Sequence, residues 1–234
     1  MARHRTLTAL RQIVVGGLHA LLAVLTSPLS RRWYNRWGAT HEELGRPMPG
    51  DELVKDPKLG YTRAITIDAP PEHVWPWLAQ IGQGRGGFYS FDGLENLIGC
   101  DIHSTQQILP DQQNLAVGDI VRSGQDHHIC WTVMDLDPPH DLVLQGAGTP
   151  GDVEVPDVVD AVPDKGYAAS TWQWVLDPVD GGRRTRLVVR QRCTYSPRQV
   201  LLWRIVEPLN FVMEREMLRG LKARAEAPTH ATPP

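Results

Sequence analysis

The fold of this chain is decided by the stretch Ile65-Thr66-Ile67-Asp68-Ala69-Pro70-Pro71-Glu72-His73-Val74-Trp75-Pro76-Trp77-Leu78. Its β-branched beginning predicts a strand over residues 61–67. Two prolines followed by Glu72 then indicate a helix start, because proline is accommodated in a first turn and an acid there complements the helix dipole. Apolar residues after Glu72 recur at spacings of three and four. The stretch therefore predicts a strand that leads at once into an amphipathic helix.

A glycine-rich loop over residues 82–87 follows, and then a second short helix over residues 91–98. The loop matches the pattern Gly-x-Gly-x-x-Gly of dinucleotide-binding proteins, but that motif has to follow a strand and open a long helix. Here it follows a helix. We therefore interpret the glycines as a tight connection in which they supply positive φ and close approach.

The second half of the chain changes to the period of strands. Four strand-like runs cover residues 129–136, 142–146, 171–176 and 186–195, and Asp180-Gly181-Gly182 indicates a hairpin between the last two. Apolar and polar residues alternate along the last run, so an antiparallel sheet with one buried face is expected. The acidic segment 148–166 lacks a period and is predicted to be a long loop, whose role the sequence does not indicate.

A long C-terminal helix is predicted after Ser196-Pro197, with a kink at Pro208. Beyond the proline, apolar residues recur every four positions from Leu209 to Leu221, and Glu214 is assigned to the opposite, polar side. The tail 227–234 contains three prolines and is expected to be disordered.

The N-terminal segment 1–36 contains six arginines and no acidic residue. Residues 12–30 are uncharged and would form a helix of roughly 28 Å, close to the thickness of a bilayer's hydrocarbon. We expect residues 9–30 to contact a membrane, as a span, a signal anchor or an interfacial helix. The alternative is a helix packed on a cytoplasmic domain. Residues 37–60, rich in glycine and proline, are interpreted as a linker.

Charge and motifs exclude several classes of function. The 234 residues carry 24 Lys and Arg against 27 Asp and Glu, so that the chain beyond residue 36 has a net charge of −9. An acidic body argues against nucleic-acid binding, which needs clustered basic residues. The sequence has no P-loop and no Gly-x-Ser-x-Gly elbow, and its three cysteines show no disulfide or zinc spacing. No metal or other cofactor is expected, and the oligomeric state is left open.

The order of elements, together with the strand-to-helix stretch 65–78, resembles the START-like (SRPBCC) superfamily, which includes polyketide cyclases and lipid-transfer domains. The run Gly82-Gln83-Gly84-Arg85-Gly86-Gly87-Phe88-Tyr89-Ser90 and the later Cys100-Asp101-Ile102-His103 look like a bacterial branch of it. The resemblance implies an α+β helix-grip fold over residues 61–226. In that fold a curved antiparallel sheet wraps around a long C-terminal helix and encloses a cavity, here with an additional N-terminal hydrophobic helix.

Such a cavity would be lined by aromatic and apolar side chains, which suit a lipid-like or polyketide-like ligand. The predicted wall residues are Trp75, Trp131, Trp172, Trp174, Val189, Gln191 and Met213. A polar cluster at the mouth of the cavity is predicted from helical spacing and consists of Arg85, Tyr89, Asp92, Glu95 and Asn96. Arg85 paired with an acid on a solvated helix face is the structural alternative.

We therefore expect binding or carriage of a hydrophobic small molecule. A cyclase-like or hydrolase-like enzyme is the first alternative, although catalytic residues cannot be named. A membrane-tethered interaction module with a filled core is the second.

Overall fold

The computed structural model describes residues 2–97, 99–124, 130–148, 168–195, 197 and 200–228. The helices are α1 (Ala2–Tyr34), α2 (His41–Gly45), α3 (Pro71–Ala79), α4 (Asp92–Leu97) and α5 (Val200–Ala225). The strands are β1 (Leu59–Ile67), β2 (Ile120–Arg122), β3 (Cys130–Asp137), β4 (Asp141–Gly148), β5 (Ala168–Val179) and β6 (Arg184–Tyr195). Short 3₁₀ turns cover Asp51–Leu53 and Pro110–Gln112.

The six strands form one antiparallel sheet in the order β1-β6-β5-β4-β3-β2. Side chains along β6 alternate between the two faces of the sheet. The expectation of a single buried face is wrong, because Val188 and Arg190 on the second face are also buried, beneath residues 37–60. One face carries Val189 and its cross-strand partner Trp174, and packs against α5 in the main core. The α+β fold with a helix-grip arrangement is thus confirmed. The short strand β2 was missed, because three residues are too few to show a period.

The hairpin and the glycine loop follow the sequence prediction. Asp180, Gly181 and Gly182 all have positive φ and join β5 to β6. In the loop, Gly82 and Gly87 pair with each other, and a Cβ atom on Gly87 would lie 2.6 Å from the Cα of Ser104. The glycines are therefore required for close backbone approach, which is the structural interpretation made above.

The segment interpreted as a linker, residues 37–60, is folded against the outer face of the sheet. Arg186 of β6 forms an ion pair with Glu43 at 2.7 Å, and Arg190 forms one with Asp51 at 2.8 Å. Gln173 of β5 donates to the carbonyl oxygen of Pro49 at 2.7 Å. Glycine and proline here shape a folded covering layer, and its polar contacts come from residues far along the chain.

Helix α1 packs against α4 and α5 and does not extend away from the body. Tyr34, at its end, is 1% exposed and stacks on Phe211 of α5 with ring centroids 5.4 Å apart. Arg31 and Asn35 both donate to the carboxylate of Glu207, at 2.9 and 2.6 Å. Over Leu10–Tyr34 this is the one described helix long and apolar enough to cross a membrane, with a mean hydropathy of 1.8. Length and composition alone do not distinguish an anchor from a signal sequence or a core helix.

Candidate functional site

A buried polar network lies between β1, β6 and α5. Its centre is an ion pair in which Arg63 Nη1 donates to Glu214 Oε2 at 2.5 Å, and the two side chains are 0% and 3% exposed. The same guanidinium donates through Nη1 to Asn210 at 3.0 Å and through Nε to the carbonyl oxygen of Tyr34 at 2.9 Å. A buried charge is tolerated only with such partners, because desolvation of an unpaired ion costs several kcal/mol.

Glu214 accepts further hydrogen bonds from the sheet. Trp172 Nε1 donates to its Oε1 at 3.0 Å, and the Tyr61 hydroxyl lies 3.3 Å from the same oxygen. That hydroxyl is also 2.5 Å from Gln191 Oε1 and 2.7 Å from Asn210 Oδ1. Burial first, and then the charge of Glu214, raise the pKa of Tyr61 well above its ordinary value of 10.0, so the phenol stays protonated. The network therefore offers a neutral phenol next to a compensated ion pair.

The sequence interpretation missed the two central members of this network. Glu214 was assigned to the polar side of α5, and that assignment is wrong. The buried residues of α5 recur at alternating spacings of four and three, from Glu207 through Phe211 and Glu214 to Leu218. A strict spacing of four drifts off a helix of 3.6 residues per turn, which is why Glu214 was misplaced. The burial of Arg63 could have been inferred from the sequence, because Arg63 lies on the same strand face as Ile65 and Ile67.

A groove opens on the outside of this network, with a volume of about 490 Å³. Tyr61 and Gln191 line it and at the same time contact the network behind them. Its other lining residues come from the end of α1, the covering segment and β6, and include Asn35, Arg36, Arg46, Arg190 and Arg192. The groove is thus bordered by arginine side chains, and Tyr61 and Gln191 are the residues that it shares with the buried network.

Two buried donors of the inner sheet face have no hydrogen-bond partner among the described residues: Arg63 Nη2 and Trp174 Nε1. Both residues are opposite Val189, Arg63 across the β1–β6 pairing and Trp174 across the β5–β6 pairing. Arg63 and Trp174 therefore lie on either side of Val189. Their Cα atoms are separated by two interstrand spacings, which is about 10 Å. Buried donors are almost always paired in proteins, so two unpartnered N–H groups this close together are unusual.

Five of the seven predicted wall residues come together on the inner face of the sheet. The rings of Trp172 and Trp174 are 4.9 Å apart, those of Trp131 and Trp172 are 5.3 Å apart, and Val189 and Gln191 lie beside them on β6. This interior is closely packed with aromatic rings. Of the seven, Gln191 lines the groove.

The other two predicted wall residues lie elsewhere. Trp75 is half-buried at the margin of the main core, and Trp77, two residues on, is the buried tryptophan of α3. Met213 packs in a separate cluster with Tyr34 and Phe211, on the side of α5 that faces α1. Met217 is the methionine of α5 that reaches the main core.

Three of the predicted pocket-mouth residues, all on α4, hold its neighbouring loops. Asp92 accepts from the backbone N–H and the hydroxyl of Ser104, at 2.7 and 2.6 Å. Asn96 bonds both backbone groups of Ile102. Glu95 accepts from the Ser90 hydroxyl at 2.7 Å. These bonds give α4 a structural role.

The remaining two pocket-mouth residues are bound by the loop around α3. Arg85 donates to the carbonyl oxygens of Ala79 and Gln112, at 2.8 and 3.0 Å. The Tyr89 hydroxyl donates to the carbonyl oxygen of Trp77, and burial raises its pKa to about 12. Among the described residues Arg85 therefore bonds backbone groups rather than the acids of α4, and its role at a ligand stays a prediction.

Comparison with known proteins gives similarity to solved structures alone, since no protein-family model and no curated protein sequence matches the chain. A conserved protein from Geobacillus kaustophilus has 14% identity and a TM-score of 0.42, over 71% of this chain and 95% of that one. The hypothetical protein jhp0584 from Helicobacter pylori has 13% identity and a TM-score of 0.44, over 76% and 95%. CalU16 from Micromonospora echinospora has 17% identity and a TM-score of 0.32, over 72% and 84%.

These similar structures are bacterial proteins. At such identities the similarity carries no statement about function.

Removal of one partner of the central ion pair should destabilise the protein strongly. Arg63→Met or Glu214→Leu leaves an uncompensated buried charge, for which we expect a loss of about 3–5 kcal/mol in the free energy of unfolding. The double variant Arg63→Met/Glu214→Leu removes both charges and should lose clearly less than the sum of the single losses. Urea denaturation measures the free energy of unfolding of each variant, and the difference between the double loss and the summed single losses is the coupling energy of the pair. Additive losses would contradict the ion pair.

Glu95 should make stability depend on pH. Burial raises its pKa from 4.5 to about 7, so the folded state binds this proton more tightly than the unfolded chain does. The free energy of unfolding therefore falls as pH rises between about 4.5 and 7 and is constant above. Glu95→Gln should abolish this fall. At pH 8 the free energy of unfolding of the variant should exceed that of the wild type by up to about 3 kcal/mol.

The control for this experiment is Glu52→Gln, since Glu52 is exposed. It should leave the pH profile of chemical denaturation unchanged. Parallel profiles for wild type and Glu95→Gln would show that Glu95 is not the titrating group.

Proposed function

We propose that this protein is a START-like binding protein for an amphipathic small molecule, with an apolar body and an oxygen-bearing head. The observation that carries the proposal is the pair of unpartnered buried donors, Arg63 Nη2 and Trp174 Nε1, on one sheet face. A carboxylate or carbonyl of the ligand would accept from them, and the row of tryptophans would contact its apolar body. The ligand would enter beside Tyr61 and Gln191, which line the groove.

Binding is favoured over catalysis because the groups able to do acid–base chemistry engage one another. The carboxylate of Glu214 is held by Arg63 and Trp172, and Tyr61 has a pKa too high for a general base at neutral pH. A cyclase-like or hydrolase-like activity would require a ligand that separates these partners.

The ligand proposal is tested with Trp174→Phe, which keeps a ring in the wall and deletes the N–H. Because the smaller ring leaves a void in the core, the free energy of unfolding should fall by about 1–3 kcal/mol, and the variant is measured where it is fully folded. Its affinity for oleate should fall about tenfold, the effect of one lost hydrogen bond to a charged group. Quenching of tryptophan fluorescence and native mass spectrometry measure the binding. A hydroxylated anthraquinone serves as the polyketide-like probe.

Two comparisons sharpen this test. Trp75→Phe alters the half-buried tryptophan at the margin of the core and should leave the affinity unchanged. Methyl oleate, which lacks the negative charge, should bind more weakly than oleate. If neither probe binds saturably to the wild type, the interior is a filled core and the protein is better regarded as an interaction module.

We further propose that α1 attaches the protein to a membrane. The small residues Gly16, Ala20, Ala23 and Ser27 share the side of α1 that is turned to the body, with Gly16 directly beneath the ring of Phe91. The large residues are turned outward: Leu18, Leu25 and Leu29 are 55%, 68% and 94% exposed. A helix of a water-soluble domain has the opposite arrangement, whereas small residues inside and leucines outside are typical of helices in lipid.

Attachment is tested by flotation of the full chain with vesicles that contain phosphatidylglycerol. Leu18→Ser/Leu25→Ser should reduce the bound fraction at least about tenfold, because each leucine contributes about 1.5–3 kcal/mol when buried. The control variant Ala20→Ser/Ala23→Ser also introduces two serines, but on the side of α1 that is turned to the body. It should float like the wild type. Recovery of the wild type in the soluble fraction without detergent would contradict attachment.

A further inference from the structure

Helix α1 is held against the body at several points between Gln12 and its end. Gln12 accepts from the backbone N–H of Gly93 at 3.2 Å, and His19, at the middle of the helix, meets the ring of Phe91 edge-on. At its end, Tyr34 is buried and Arg31 is paired with Glu207. Gln12 and Tyr34 are separated by about 33 Å of helix, which is as long as a bilayer's hydrocarbon is thick.

A docked α1 of this length cannot cross a bilayer without taking the body with it. The contacts of Gln12 and His19 are with α4 and with Phe91 just before it. Helix α4 carries Asp92 and Glu95, and the backbone after it, over residues 99–119, is irregular apart from the 3₁₀ turn Pro110–Gln112. Irregular backbone and carboxylates do not face lipid hydrocarbon, since their polar groups would lose water without replacement. A spanning arrangement would require α1 to leave α4 and Glu207.

The start of α5 extends the apolar surface of α1. Glu207 joins α5 to Arg31, and within six residues before it Leu201, Leu202 and Ile205 are 75%, 54% and 46% exposed. Leu29, two residues before Arg31, is 94% exposed. Both helices therefore present large apolar side chains within two turns of the same ion pair.

The charges around this surface are positive. Arg11, Arg32 and Arg204 are exposed on the two helices, and Arg36 is exposed in the turn that follows α1. The segment 2–34 contains no acidic residue, and the first acid of α5, Glu207, is 4% exposed and paired. An apolar strip bordered by arginines fits the interface of a bilayer with anionic headgroups.

We infer that α1 lies in the plane of the membrane rather than across it, and that the first two turns of α5 enter the same leaflet. The inference rests on the proposed membrane attachment and specifies its geometry. The lipid-facing surface then consists of the outward leucines of α1 with Leu201, Leu202 and Ile205. Because Asn35 and Arg36 directly follow α1 and line the groove, the groove opens at the level of the headgroups.

The test determines on which side of the membrane the two ends of α1 lie. Single cysteines replace Arg11, Arg36 and, as a marker of the body, Arg183 in the β5–β6 turn, in the full chain with Cys100→Ser and Cys130→Ser. The protein is expressed in bacteria, and a membrane-impermeant maleimide is added to spheroplasts and to inverted membrane vesicles. An in-plane helix predicts that all three sites react in the same preparation.

The other outcomes are distinct. If Arg11→Cys and Arg36→Cys react in opposite preparations, α1 spans the bilayer; the inference is then overturned, and the proposed attachment stands. If the protein is absent from the membrane fraction, both fail. Cysteines at Leu25 and Leu201 test the shared surface: both should react at least tenfold more slowly in membranes than in detergent. A Leu201 site that reacts as fast as the Arg183 site would remove α5 from the surface.

Discussion

The guanidinium of Arg63 is the constraint on which the rest of the structure depends. It projects from β1 onto the apolar side of the sheet, where a lone positive charge would be very unfavourable. Its partners therefore have to come from every neighbouring element. Glu214 and Asn210 are provided by α5, and the carbonyl oxygen of Tyr34 by the end of α1, while the rings of Tyr61 and Phe211 lie over its faces. Sheet, C-terminal helix and N-terminal helix thus meet at one side chain.

The sequence predicted what local patterns determine. Strand alternation in β6, the Asp-Gly-Gly turn and the proline-marked start of α3 each depend on neighbours within a few residues, and all three are found in the structure. The site depends on pairings between residues that are distant in the chain. Arg63 and Glu214 are 151 positions apart, and nothing near either residue identifies the other. A charged residue on an apolar strand face was the available signal.

The covering segment 37–60 illustrates the same limit. Its glycines and prolines match those of a connecting loop, because both need turns without regular periodicity. What makes it a folded layer is a set of arginines on the outer face of β6, of which Arg186 and Arg190 are bound by Glu43 and Asp51. Composition describes the segment itself and contains no information about the strand it will cover.

The docking of α1 on α5 also determines an order of events during synthesis. Arg31 leaves the ribosome 176 residues before Glu207, the partner that fixes it to the body. At roughly 5–20 residues per second, that interval is about 10–35 s, during which α4 is made but α5, the other helix against which α1 packs, is not. Helix α1 is therefore complete before the sheet exists. The pairing of Glu207 with Arg31, which fixes α1 to α5, must wait until this last helix has been made.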